Sequence, residues 1–186
     1  MGVSVSGKSG SAPKIPEGMH EAVCVAIYDL GQQMQTGQYP GLKHKVMLVW
    51  ETEAGDTIGK EYTASLGDKA NLHKDLVMWR GRPFSPEEMS GFGLNKVLGA
   101  HCMIQVQHKN SWANVTAIVP SKQKWLPKSK LIDFDIQDEI PPDCPAWIAK
   151  KINNATDRFA RGEESQNHPE DGAGIPADGG DSEVPF

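Results

Sequence analysis

A change of hydrophobic period part-way along the chain constrains the fold most. Five runs alternate every second position, as strands do, and a helical period interrupts them once, between the third and the fourth. The first run is Met19–Leu30, where Val23, Val25 and Ile27 alternate with Cys24, Ala26 and Tyr28. Both of its faces are apolar, which predicts a central strand. Gly31–Gly41 carries Gly, Gln, Thr, Tyr39 and Pro40 and reads as a loop. Leu42–Glu51 is the second strand, with Val46, Leu48 and Trp50 on one face and Lys45, Met47 and Val49 on the other. Glu53-Ala-Gly-Asp56 turns into the third, Thr57–Ala64. Asn71–Arg80 then spaces Leu72, Leu76 and Trp79 as on one face of a helix that stops at Gly81. Ser85-Pro86-Glu87-Glu88 combines a capping serine, a proline at the first helical position and a glutamate at the third, and opens a second short helix. Leu94–Leu98 is a further turn or helix ending at Gly99. Cys102–His108 and Trp112–Val119 are the fourth and fifth strands, joined by Lys109-Asn-Ser111.

This order predicts a mainly β domain with inserted helices: a five-stranded OB-fold barrel with a helix between strands 3 and 4. The flanks divide by composition. Residues 1–14, Gly, Ser, Lys and Pro with little else, form a disordered leader, and 15–130 the barrel domain. Residues 131–161 are an Asp/Pro-rich connector and a C-terminal helix, Ala146–Arg161, whose Ile148, Ile152, Ala155 and Phe159 share a face. That face packs either on the barrel or on another subunit, so a homo-oligomer is one outcome. Residues 162–186 are a disordered acidic tail.

The net charge of −5 argues against a nucleic-acid partner until it is divided. Glu163, Glu164, Glu170, Asp171, Asp178, Asp181 and Glu183 all lie beyond Arg161, where there is no Lys or Arg. All 19 basic residues therefore belong to Met1–Arg161, which is mildly cationic.

Catalytic and metal-site patterns are missing. Cys24, Cys102 and Cys144 are odd in number and widely spaced, which speaks against a disulfide framework or a zinc site. No two of the six histidines fall at metal-ligand spacing, no G-x-S-x-G occurs, and Asp133, Asp135, Asp138 and Glu139 sit in a solvated connector. Gly2-Val-Ser-Val-Ser-Gly7-Lys8-Ser9 matches the P-loop pattern by letter. No strand delivers it, however, and Pro13 and Pro16 stand where the receiving helix should run. The expectation is a protein that is not an enzyme and has no cofactor and no metal. No 18-residue apolar run and no secretory apolar segment is present, so a soluble cytoplasmic protein is expected, with no membrane partner.

Aromatic residues next to cations remain, the combination that single-strand binders use to stack bases and follow phosphates. Tyr39 lies near Lys43 and Lys45, Trp79 precedes Arg80 and Arg82, Trp112 follows Lys109, and Trp125 stands among lysines that include Lys122 and Lys124. Trp50 and Trp79 occupy apolar phases and are assigned to the core. Trp112, at a hairpin turn, and Trp125, in a basic loop, are expected to be exposed. In an OB barrel the loops after strands one and four border the binding face, which would set Tyr39 and Trp112 on its two sides.

The end of the chain, Asp181-Ser-Glu183-Val184-Pro185-Phe186, resembles the C-terminal peptide of bacterial single-stranded DNA-binding proteins, acids ending in Ile-Pro-Phe, with Val for Ile here. The N-terminal strand motif of those cellular proteins is missing. The body is similar instead to bacteriophage single-stranded DNA-binding proteins, in Ile15-Pro-Glu-Gly18, Tyr62-Thr-Ala-Ser-Leu66, Trp79-Arg-Gly-Arg-Pro-Phe84 with Glu87-Glu88, Leu94 to Gly99, and Trp112-Ala-Asn114. The resemblance implies an OB-fold that coats single-stranded DNA without catalysis in phage replication, recombination and repair, in the host cytoplasm. It also implies that Asp181, Glu183, Val184, Pro185 and Phe186 recruit replication or repair proteins. The alternative is a replisome adaptor or inhibitor that uses the tail to bind partner proteins and does not hold DNA.

Overall fold

In the computed structural model, β1 (Gly18–Gln35) is the strand on which the other elements assemble, and residues 15–158 are described. The P-loop-like leader, Phe159 and the tail residues Asp181, Glu183, Val184, Pro185 and Phe186 lie outside them. The chain continues through β2 (Gly41–Thr52), β3 (Thr57–Thr63), α1 (Asn71–Arg80), α2 (Pro86–Ser90) and a single 3-10 turn at Leu94–Val97. It is completed by β4 (His101–Lys109), β5 (Trp112–Pro120), β6 (Ile132–Phe134) and α3 (Ala146–Asn153). The protein is mainly β, with few helices, as the alternation predicts. Among the described residues no helix is long and apolar enough to cross a membrane.

The strands run in the order β3-β2-β1-β4-β5, with β6 attached to β1. All neighbours are antiparallel except β1 and β6. One edge of β1 pairs with β2 from Ala22 to Gln35. The other pairs with β4 over Gly18–Val23 and then with β6 over Ala26–Tyr28. A register shift between Cys24 and Ala26 falls where the second edge changes partner. The outermost strands, β3 and β5, approach one another, but no ladder joins them, so hydrogen bonding does not close the sheet.

Three expectations need correction. Gly31–Gly41 is not all loop, because β1 runs on to Gln35 and pairs Gln32 with His44, Gln33 with Lys43 and Met34 with Leu42. Glutamine is a weak strand former, and the facing strand supplies what local preference does not. Gly31 makes the extension possible: it has φ +61, and a Cβ there would come within 3.0 Å of Asp157, Ala155 and Ile136. Secondly, the described residues form six strands rather than five, the extra one arising in the supposed connector. Thirdly, the last helix stops at Asn153 and not Arg161. The chain leaves it to bond β1, with Thr156 N–H donating to Gln32 O (3.1 Å) and Gln32 N–H to Asp157 Oδ1 (2.8 Å).

Both faces of β1 are covered. On one side Ala22, Cys24 and Ile27 join Leu48, Trp50, Leu76, Trp79, Ile104 and Ile118 in the main core. As their spacing predicts, Leu72, Leu76 and Trp79 turn one face of α1 inward, and the Trp50 and Trp79 rings lie 6.1 Å apart. On the other side Val23, Val25, Tyr28 and Leu30 join Met47, Val49, Phe134, Ile148 and Ile152. Each valine, leucine, isoleucine, methionine or phenylalanine among them contributes about 1.5–3 kcal/mol through burial. The described cysteines are free, and burial pushes the Cys24 thiol up to about 12.

Glu51 fastens the C-terminal segment to β2. Its buried carboxylate accepts the backbone N–H groups of Lys128 and Ser129, each at 2.8 Å. Burial pushes this carboxyl up, but bonds from Ser129 and Lys128 outweigh it and hold the group below the usual carboxylate range. A depressed folded pKa contributes stability above the unfolded value that is lost as pH falls through the folded one. Glu51→Gln keeps one acceptor oxygen for two amides, so urea unfolding should show a loss of about 1–3 kcal/mol near neutral pH. The gap between variant and wild type should narrow on acidification; a gap that stays constant would remove the charge from this account.

Candidate nucleic-acid interface

The β4–β5 ribbon presents the most exposed tryptophan. Lys109 pairs with Trp112 across the ribbon, and the two residues between them, Asn110 (φ 51) and Ser111 (φ 66), both have left-handed backbone. Positive φ at both central positions is the two-residue turn whose twist matches paired strands. A short, tightly closed tip therefore holds Trp112, 75% exposed, beside the exposed Lys109. Its base is tied down, since Glu17 accepts the His108 N–H (2.7 Å) and a His108 ring nitrogen lies 2.8 Å from Ile15 O.

Tyr39 occupies the connection between β1 and β2 and is 67% exposed, near the exposed cross-strand pair Met34 and Leu42. Lys43 is half-buried on the same ribbon. Lys45 is held internally, its Nζ donating to Gln35 Oε1 (2.8 Å) and Thr63 Oγ1 (3.0 Å). Because Gly18 pairs with Val106 and Gln35 with Gly41, the Trp112 and Tyr39 tips lie beyond opposite ends of β1.

The outward surface of β2 and β3 is not open. Met47 and Val49 are buried in the second core, the Trp147 ring edge would stand 3.3 Å from a Cβ on Gly59, and Lys151 forms an ion pair with Glu61. The chain's own α3 covers this surface, which an OB barrel would use between its two loops.

Trp125 corrects an expectation of exposure. It is half-buried against the second core and edge-on to His101 (5.9 Å), whose Nε2 lies 2.8 Å from the Trp125 carbonyl oxygen and 3.0 Å from its backbone nitrogen. Loop composition reported the lysines around it but not the long-range contact that draws the ring inward. Lys122 and Lys124 are exposed.

Arg80 is enclosed as well. Its side chain is 13% exposed and ion-paired to Glu88, with the guanidinium carbon 4.3 Å from the Phe84 ring centre and 5.2 Å from that of Phe92. Arg82, 61% exposed, donates to the same carboxylate at 3.2 Å. The capping box read from the sequence is formed: Ser85 N–H donates to Glu88 Oε2 (3.0 Å) and Glu88 N–H to Ser85 Oγ (3.3 Å). The Ser85 amide, with Arg80 and Arg82 acting against partial burial, holds the Glu88 carboxyl below its usual range. Sequence reasoning missed Phe92 and Lys96, which with Arg80, Arg82 and Glu88 line a cleft of about 430 Å³. Nothing in the local pattern marks them, because they reach the cleft from the segment after α2.

Among the described residues no group of three or more His, Cys, Asp or Glu side chains is placed to hold a metal ion. Comparison with protein-family models, with curated proteins and with solved structures returns no match.

A serine at φ 66 is strained in a way that glycine is not, and a glycine in turn loses more freedom on folding. Ser111→Gly should therefore raise stability by about 0.5–1 kcal/mol in thermal unfolding. The Trp112 emission maximum should stay where it is; a destabilised variant would contradict the strained-turn account.

Proposed function

We propose that this protein is a non-catalytic single-stranded DNA-binding protein of the OB-fold type. It coats and protects single strands in phage DNA replication, recombination and repair, and recruits partner proteins through Asp181–Phe186. The observation that carries the reading is the exposed Trp112 ring on a tight ribbon tip beside Lys109. The sheet order supports it, since an OB-fold is a partly open five-stranded barrel and here β3 and β5 approach without pairing. Bases stack on Trp112 and Tyr39, and Lys109, Lys43, Lys122, Lys124 and Arg82 follow the phosphates. Every base has a flat face, so such a grip tolerates any sequence. Lys45 and Trp125 support the surface from internal contacts.

Titration with oligo(dT) should quench tryptophan fluorescence, and affinity should fall steadily as salt rises, because bound cations displace counterions. Trp112→Ala should weaken binding by about 1–3 kcal/mol, the range found for one stacked base. If neither quenching nor a gel shift occurs at low salt, the protein does not hold DNA and the adaptor reading takes its place.

Deleting Asp181–Phe186 should leave DNA affinity equal or higher, since acidic residues compete with phosphates for cations. Pull-down of host replication and repair proteins should fail with the same truncated chain. Undiminished recruitment would overturn the role given to the tail.

A further inference from the structure

We infer that the cleft between the end of α1 and the segment after α2 is a phosphate-binding site, with Arg80, Arg82 and Lys96 as its cations. This rests on the single-strand reading only for the source of the phosphate. The cleft itself rests on three observations.

Its charge is unbalanced. Three cations line it, and among the described lining residues Glu88 is the only carboxylate, shared by Arg80 and Arg82. Lys96 and Arg80 each lie 5.2 Å from the centre of the same Phe92 ring, so both cations border that ring. A ring face attracts cations but cannot neutralise them, and like charges held together are relieved by an anion.

The second observation is an orphaned donor. Arg80 Nη1 is buried with no hydrogen-bond partner, although Nη2 of the same guanidinium is bonded to Glu88. Leaving a buried charged donor unpaired costs free energy, and Nη1, which the Nη2–Glu88 bond leaves over, can donate to a single phosphate oxygen.

The third is polarity across Phe92. The same ring lines a neighbouring cleft of about 390 Å³ that contains Asp29, Asp133 and Asp135. Those carboxylates repel phosphate, so an anion arriving here is directed to the arginine side. A volume of about 430 Å³ accommodates a phosphate together with part of its nucleoside.

The ligand chemistry is a phosphate oxyanion, from either an internal phosphodiester of a strand or a terminal phosphate. The test uses the full chain and the variants Arg82→Ala, Lys96→Ala and the double variant, which leave the enclosed Arg80 in place. Circular dichroism and melting temperature establish that each is folded. Oligo(dT) with and without a 5′-phosphate is titrated at several salt concentrations, and inorganic phosphate is added in thermal unfolding.

The double variant should bind oligo(dT) at least tenfold more weakly at low salt, and each single change should flatten the salt slope by about 1. A loss equal for both oligonucleotides assigns the cleft to an internal phosphodiester; a loss confined to the 5′-phosphorylated one assigns it to a strand end. Wild-type binding with a folded double variant of unchanged affinity and slope overturns the cleft and leaves the DNA reading standing. If no oligonucleotide binds but inorganic phosphate raises the melting temperature of wild type and not of the double variant, the cleft stands and the DNA reading fails. Absence of both effects overturns both.

Discussion

The structure depends on β1 being used on both edges and both faces. One edge is committed to β2 along almost its whole length, and the other is divided between β4 and β6. Its side chains alternate between two cores, Ala22, Cys24 and Ile27 entering one and Val23, Val25 and Tyr28 the other. A strand slipped by one residue would exchange the two sets, so both cores enforce the same register. Gly31 shows how closely the second layer is applied, since no side chain fits between the strand and the segment around Asp157.

That second layer decides where a ligand can bind. Ile148 and Ile152 are fully buried and Glu51 secures the backbone at Lys128 and Ser129, so the cover over β2 and β3 is part of the folded unit. In the proposed reading a single strand is left with the ribbon tips and the margin formed by α1, α2 and the residues after them. Most of the proposed contacts lie on those surfaces, with aromatic rings at the tips and cations around the Phe92 cleft, and Lys122 and Lys124 lie in the segment after β5.

The side chains of the Trp79–Phe84 block, with Glu87 and Glu88, do mostly architectural work. Trp79 is in the main core and donates to His101 O (3.0 Å), Arg80 rests against both Phe84 and Phe92, and Glu88 closes the cap of α2. Arg82 alone of the block's cations is largely exposed. A motif of this kind specifies a wall as much as a contact, because an arginine fork is useful only where neighbouring rings and a carboxylate hold it still.

By itself the sequence determined the elements whose information is local. The alternation of the strands, the Leu72–Leu76–Trp79 face of α1, the cap at Ser85 and the core placement of Trp50 and Trp79 follow from spacing, and spacing decides which side chains share a face. The tip that exposes Trp112 was legible for the same reason, since a short polar turn between two alternating runs leaves its flanking residue outside the core. Tertiary structure alone decided the rest: the continuation of β1 through Gln32–Gln35, the parallel β6, the end of α3 at Asn153, the inward turn of Trp125 and the arrival of Phe92 and Lys96 beside Arg80. Each of these depends on a partner distant in the chain, such as Asp157 for Gln32 or His101 for Trp125. Local pattern carries no record of such partners, because their contribution exists only once the chain has brought them together.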